Sequence, residues 1–173
     1  AGQFLPGIVK KGIRMTEEFP DDGCCFYDHF EEFIDDMKAT GQNTYRLSLA
    51  WPRIIPDGTG AVNEQGLAFY DRVIDKLLTC GIEPFVDLLH WDLPMALFER
   101  GGYASREFPE WFEQYAKVCF EHFKGRVRLW STVNEPCVFI TSGYADGRFG
   151  QNDPITRGQM VQILYNYYGE DCG

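Results

Sequence analysis

The residues able to do chemistry in this chain stand at or just beyond the ends of apolar runs. Glu135, between Asn134 and Pro136, stands two residues beyond VRLWSTV, and His90, Trp91 and Asp92 close or follow PFVDLLH. Arg46 and Ser48 lie within TYRLSLA. A carboxyl group at the mouth of an apolar sheet, beside Trp91 and Trp130, is expected to be partly desolvated. Desolvation disfavours the charged form, raises the pKa and suits Glu135 to proton donation near neutral pH. Two plainer roles stay open for it, a helix cap or a pair with a surface arginine. His90 fits a base, a metal ligand or a hydrogen-bond partner for hydroxyls, and equally a satisfied structural residue. Asp92 reads as the cap of the loop that follows it, and Asp87, in mid-strand, as the partner of an arginine on the helix side. Arg46 reads as buried in its strand and needs a carboxylate, yet none lies near it in sequence.

Composition narrows the classes of function. The net charge is −10, against the basic face that nucleic acid or an anionic membrane requires. His29 and His122 fall away from strand ends, so no metal site is expected around His90. The cysteines (Cys24, Cys25, Cys80, Cys119, Cys137 and Cys172) form no Cys-x-x-Cys pair, and Cys80 and Cys119, in helical stretches with apolar neighbours, read as reduced core thiols. Aromatic residues make up 16% of the chain, which serves stacking on sugars or plain core filling. No apolar run is long enough for a membrane span, and the first residues lack the apolar region of a secretion signal. A cytoplasmic location is expected from this.

The elements that must position these residues alternate. Helical spacing of Phe30, Phe33, Ile34 and Met37 predicts a helix over 27–40, and a wide apolar stripe from Leu67 to Leu78 predicts another over 64–79. A third is expected over 109–123. Gly41, Gly81 and Gly125 stand where glycine ends helices. Strands are expected over 44–50, 84–90 and 127–133, with Trp51-Pro52 closing the first and a turn-rich PDGTG loop after it. The second strand is almost continuously apolar, as in a parallel sheet covered on both faces. Alternation of helix and strand at roughly forty-residue spacing implies parallel strands with right-handed crossovers, hence an α/β fold. Ligands bind at the carboxyl ends of such strands, which is where Arg46, Ser48, His90, Trp91, Asp92, Asn134 and Glu135 gather.

Five segments in order, YRLSLAWPRIIPDGTGAVNEQGLAFYDRVID, GIEPFVDLLHWDLPMAL, GGY, RLWSTVNEP and GYADGRF, together resemble glycoside hydrolase family 1, the β-glucosidase family of (β/α)8 barrels. The resemblance covers residues 27–148 and implies a partial TIM barrel with about three to four of the eight βα units. It implies hydrolysis of β-glycosidic bonds with retention, with Glu135 as general acid/base and Asn134 on the sugar 2-hydroxyl. It further implies that His90 binds another sugar hydroxyl, that Trp91 shapes the pocket, and that Arg46 supports the site next to the nucleophile. HWDLP and TVNEP look more like the β-glucosidase branch than the phospho-glycosidase branch. No cofactor is implied. The expected partner is a β-glucoside or related oligosaccharide.

Departures from the family pattern set further expectations. Residues 1–26 do not show the family's first strand with its sugar-binding glutamine, and the nucleophile belongs to a later strand than any here. Retention needs two carboxyl groups about 5 Å apart, and only Glu135 is identifiable, so the activity is expected to be incomplete in this chain. Open barrel edges would favour self-association. The segment FGQNDPITRGQMVQILYNYYG, residues 149–169, resembles the end of an S-layer homology repeat, with Arg157 as its basic residue. That would suggest a cell-surface location and, as a second function, non-catalytic binding of carbohydrate or cell wall. The chain thus divides into 1–26, unassigned; 27–148, a partial barrel; and 149–173, a tail.

Overall fold

The structure, a computed structural model, describes residues 24–136; the 149–173 tail, Cys137 and Cys172 lie outside them. Helix α1 (Phe26–Ala39) buries Phe30 and Ile34, four residues apart and so on one face. Strand β1 (Thr44–Ser48) leads into the short helix α2 (Trp51–Ile54), where Pro52 occupies the first turn, the place in a helix where its missing N–H costs nothing. Helix α3 (Glu64–Thr79) starts at Asn63, whose side-chain oxygen accepts the Gln65 amide at 3.2 Å and satisfies one of the free donors of the first turn. Strand β2 (Glu83–Leu89), helix α4 (Met95–Glu99), a 3-10 turn (Gly102–Ala104), helix α5 (Phe108–Phe123) and strand β3 (Leu129–Val133) complete the order.

The three strands are parallel, in the order β1-β2-β3, with Ser48 beside Asp87 and Asp87 beside Ser131. Side chains alternate between the faces of a strand, so the register gives each face its own character. Leu47, Val86 and Leu88 are buried in the apolar core on the face that meets the helices, where Trp130 meets Phe120 edge-on with ring centroids 4.8 Å apart. Trp51 stacks on Tyr115 at 4.6 Å, and the Tyr115 hydroxyl donates to the Leu88 carbonyl at 3.0 Å, pinning α5 to β2. The other face carries Arg46, Ser48, Asp87 and Ser131. Among the described residues no helix is long and apolar enough to cross a membrane.

The α/β class, the parallel sheet and all six expected elements are present, with α3 ending where periodicity puts its ends. Three short pieces go beyond the expectation: α2 where the sequence reads as a strand stop, α4, and the 3-10 turn. Trp130 is a correction. Adjacency to Glu135 in the chain suggested a shared mouth, but strand alternation turns the indole onto α5. Of the two helical cysteines, Cys119 is buried and Cys80 is half-buried.

Candidate active site at the carboxyl end of the sheet

Five polar side chains from the three strand ends form a closed ring. Arg46 Nη2 donates to Asn134 Oδ1 at 2.9 Å, and Asn134 Nδ2 lies 3.1 Å from His90 Nε2. His90 Nδ1 lies 3.1 Å from Ser48 Oγ, and that hydroxyl donates to Asp87 Oδ2 at 3.2 Å. Asp87 Oδ1 faces Arg46 Nη2 at 3.3 Å, closing the ring, and His90 Nδ1 stands 3.8 Å from the second Asp87 oxygen. Strand register makes this possible: Ser48 and Asp87 are direct neighbours across β1 and β2. Asn134 is reached through the backbone, its amide donating to the Leu89 carbonyl at 2.8 Å so that β3 ends level with β2.

The ring corrects two expectations. Arg46 finds its carboxylate within the chain, on Asp87 of the neighbouring strand, and Asp87 does not pair with a helix-side arginine. Arg46 is also not buried: its side chain is 40% exposed while that of Asp87, on the same face of the sheet, is 0% exposed. A buried carboxylate needs partners to offset its desolvation, and Arg46 and Ser48 supply them. His90 and Asn134, each expected to meet a sugar hydroxyl, hydrogen-bond each other.

The loop after β2 is tied to the end of β3. The Trp91 indole N–H donates to the Asn134 carbonyl at 2.8 Å, which fixes the peptide leading into Glu135. Trp91 has φ 70° and Glu135 φ 45°, a left-handed conformation that costs a side chain on the order of 1–2 kcal/mol and recurs at functional sites. Glu135 itself is exposed, a second correction to the desolvated mouth expected of it. The reason is geometric: Trp130 points away and Trp91 meets the backbone ahead of Glu135 instead of its carboxylate. Asp92, expected to cap the loop after it, instead folds back so that Oδ1 accepts the His90 amide at 3.3 Å, and burial pushes its carboxyl up to about 6 despite its backbone bonds. A cleft of about 350 Å³ runs beside β1, lined among others by Tyr45, Arg46, Ser48, Arg53 and Tyr70. It touches the ring through Arg46 and Ser48 alone, and His90, Asn134 and Glu135 do not line it.

Sequence reasoning gathered Arg46, Ser48, His90, Trp91, Asp92, Asn134 and Glu135 at this edge, and all seven lie there. What it missed is Asp87 as a member, since nothing local in the sequence announces a contact made by cross-strand register.

A parallel sheet backed by helices, with polar side chains from successive strand ends converging beside an exposed glutamate, is the layout of an α/β enzyme whose site lies at the carboxyl edge. The chain belongs to Glycosyl hydrolase family 1: the family's sequence profile matches residues 9–165. That match reaches beyond 27–148 on both sides and runs into the tail. β-Glucosidase A of Thermotoga maritima is 47% identical over 142 residues, covering 82% of this chain and 31% of the relative. The 6-phospho-β-glucosidase GmuD of Bacillus subtilis is 49% identical over 125 residues, covering 72% and 27% respectively, so relatives carry the names of both branches. A solved family 1 β-glucosidase from T. maritima has TM-score 0.70 and 43% identity, covering 83% of this chain and 32% of that one. The complex of a T. maritima β-glucosidase with deoxynojirimycin has TM-score 0.78 and 39% identity, covering 95% and 37%. The chain therefore spans about a third of the length of the relatives it matches, and the sheet corresponds to part of a TIM barrel.

Proposed function

We propose that this chain supplies the acid/base half of a retaining β-glycosidase site, with a β-glucoside as substrate. The observation that carries the reading is Glu135: an exposed carboxyl at the end of β3, directly after Asn134, at the rim of the ring formed by Arg46, Ser48, Asp87, His90 and Asn134. In this reading Glu135 protonates the glycosidic oxygen as the bond breaks and then deprotonates the incoming water. Its solvent-open position suits the second step. Asn134 and His90 hold sugar hydroxyls, Trp91 walls the pocket and Arg46 lies beneath it, beside the nucleophile that a later strand contributes. A sugar ligand accords with the solved complexes of T. maritima β-glucosidase with glucoimidazole and deoxynojirimycin. General acid–base catalysis contributes typically about 10²–10⁴-fold, and that is the share assigned to Glu135.

The test is a chimera in which residues 24–136 replace the matching segment of T. maritima β-glucosidase A. The chimera should hydrolyse alkyl and 4-nitrophenyl β-glucosides. Glu135→Gln should cut alkyl β-glucoside turnover by about 10²–10⁴-fold and spare the first step with 4-nitrophenyl β-glucoside, whose leaving group needs little protonation. Added azide, which attacks the glycosyl intermediate without base assistance, should restore turnover of the 4-nitrophenyl substrate. Full activity of Glu135→Gln on the alkyl substrate would sink the assignment.

A further inference from the structure

We propose that Ser48 and Asp87 are positioning residues that hold His90 as its Nδ1–H tautomer, so that Nε2 offers a lone pair at the strand-end site. The ring can be traced from two ends that are chemically unambiguous. A guanidinium only donates hydrogen bonds, so the Asn134 atom 2.9 Å from Arg46 Nη2 is the amide oxygen. The amide nitrogen, also only a donor, then faces His90 Nε2 at 3.1 Å, and Nε2 must accept. From the other end, a carboxylate only accepts. The single Ser48 hydroxyl proton is committed to Asp87 Oδ2 at 3.2 Å, so Ser48 Oγ can only accept from His90 Nδ1 at 3.1 Å. Nδ1 therefore carries the proton. Two independent routes around the ring give the same tautomer, and a histidine's second partner is what sets the tautomer.

This explains an otherwise costly feature, a fully buried carboxylate in the middle of β2. Paired with Arg46 on one oxygen, Asp87 uses the other to orient the Ser48 hydroxyl, and through it His90. His122 provides a built-in contrast. Its Nε2 lies 2.9 and 3.0 Å from the two oxygens of Asp71, so its Nε2 carries a proton. The consequence for ligands rests on the glycosidase reading above: a sugar hydroxyl replacing Asn134 at Nε2 must donate its proton there, so a fluorine or methyl ether at the same position is not accepted in its place.

The experiment is long-range proton–nitrogen correlation NMR on the uniformly nitrogen-15-labelled chain at neutral pH. The chain has three histidines, and His90→Gln assigns the one in question. Expected are a protonated Nδ1 and bare Nε2 for His90, and a protonated Nε2 for His122. Ser48→Ala, which leaves the Arg46–Asp87 pair intact, should move the His90 tautomer ratio toward Nε2–H by roughly fivefold, the worth of one net hydrogen bond. Ser48→Thr should restore the ratio, with the His122 signals unmoved throughout as a measure of intact folding. A wild-type His90 protonated on Nε2, or a ratio that Ser48→Ala leaves unchanged while His122 stays in place, overturns the proposal. The readout involves no substrate, so a chain without glycosidase activity counts against the proposed function and leaves the tautomer result standing.

Discussion

Asp92 stores a pH dependence beside the site. Burial raises its carboxyl from 3.8 to about 6, so between those values the folded chain holds a proton that the unfolded chain has released. Where the unfolded state binds fewer protons, stability falls as pH rises. The contribution of Asp92 is thus present below about pH 4 and lost by about pH 6, at a cost of about 3 kcal/mol across the window. Asp92→Asn keeps the acceptor oxygen for the His90 amide and removes the charge. Urea unfolding should find it more stable than wild type at pH 7 and nearly equal below about pH 4; an equal difference at both pH values would mean that charge burial is not the cause. Trp91→Phe tests the neighbouring tie. Losing the indole bond to the Asn134 carbonyl should cost about 1 kcal/mol and speed amide exchange at Glu135, whereas unchanged exchange would show that the loop sets the Glu135 backbone without the indole. At this scale the strand-end residues were legible because position along the chain reveals a strand end. The links between them were not: Ser48 and Asp87 are 39 residues apart and Arg46 and Asn134 are 88 apart, so only the register of the folded sheet brings them together.

Elements with several turns declared themselves, as α3 did through its seven buried positions including Leu67, Val73, Ile74 and Leu77. Helices α2 and α4, four and five residues long, span too little for a 3.6-residue period to repeat, and Trp51-Pro52 carries equally well the signal of a strand stop. The junction of α2 and α3 is nevertheless tight. A Cβ on Gly66 would stand 2.1 Å from the Arg53 carbonyl oxygen, the same oxygen that accepts the Asn63 side-chain amide at 3.0 Å. Asn63 therefore caps α3 with its oxygen and anchors α2 with its nitrogen, and Gly66 leaves room for both. In an open helix Gly→Ala gains up to about 1 kcal/mol. Here the opposing atom is backbone, so α2 must shift, and overpacking of that kind costs about 1–3 kcal/mol. We expect Gly66→Ala to lower the thermal midpoint by a few degrees, since about 1 kcal/mol moves a chain of this size by about 2–4 °C. An unchanged or raised midpoint would show that the junction gives way more easily than its geometry indicates.

For the molecule as a whole, the decisive fact is that among the described residues helices back one face of the sheet and none backs the other. That second face carries Arg46, Ser48, Asp87 and Ser131, with Leu129 46% exposed. In a closed barrel that face is the packed interior, and the site is assembled from the loops and ends of strands all around it. Resemblance to the family assigns the nucleophile to a later strand, so under the proposed function Glu135 gains its partner only when further strands close on this face. The chain should then act as one component of a reconstituted enzyme. Mixed with the part of T. maritima β-glucosidase A that it does not match, all but 31% of that protein, it should give β-glucoside hydrolysis above that of either component alone, rising with the concentration of both. Glu135→Gln in this chain should remove alkyl β-glucoside turnover from the mixture by about 10²–10⁴-fold, while Gly66→Ala should weaken assembly without changing turnover at saturation. If the single-chain chimera is active and the mixture is not, the two surfaces fail to find each other and the chemistry assigned to Glu135 stands. If the mixture is active and Glu135→Gln leaves it so, the proton comes from elsewhere and that assignment falls.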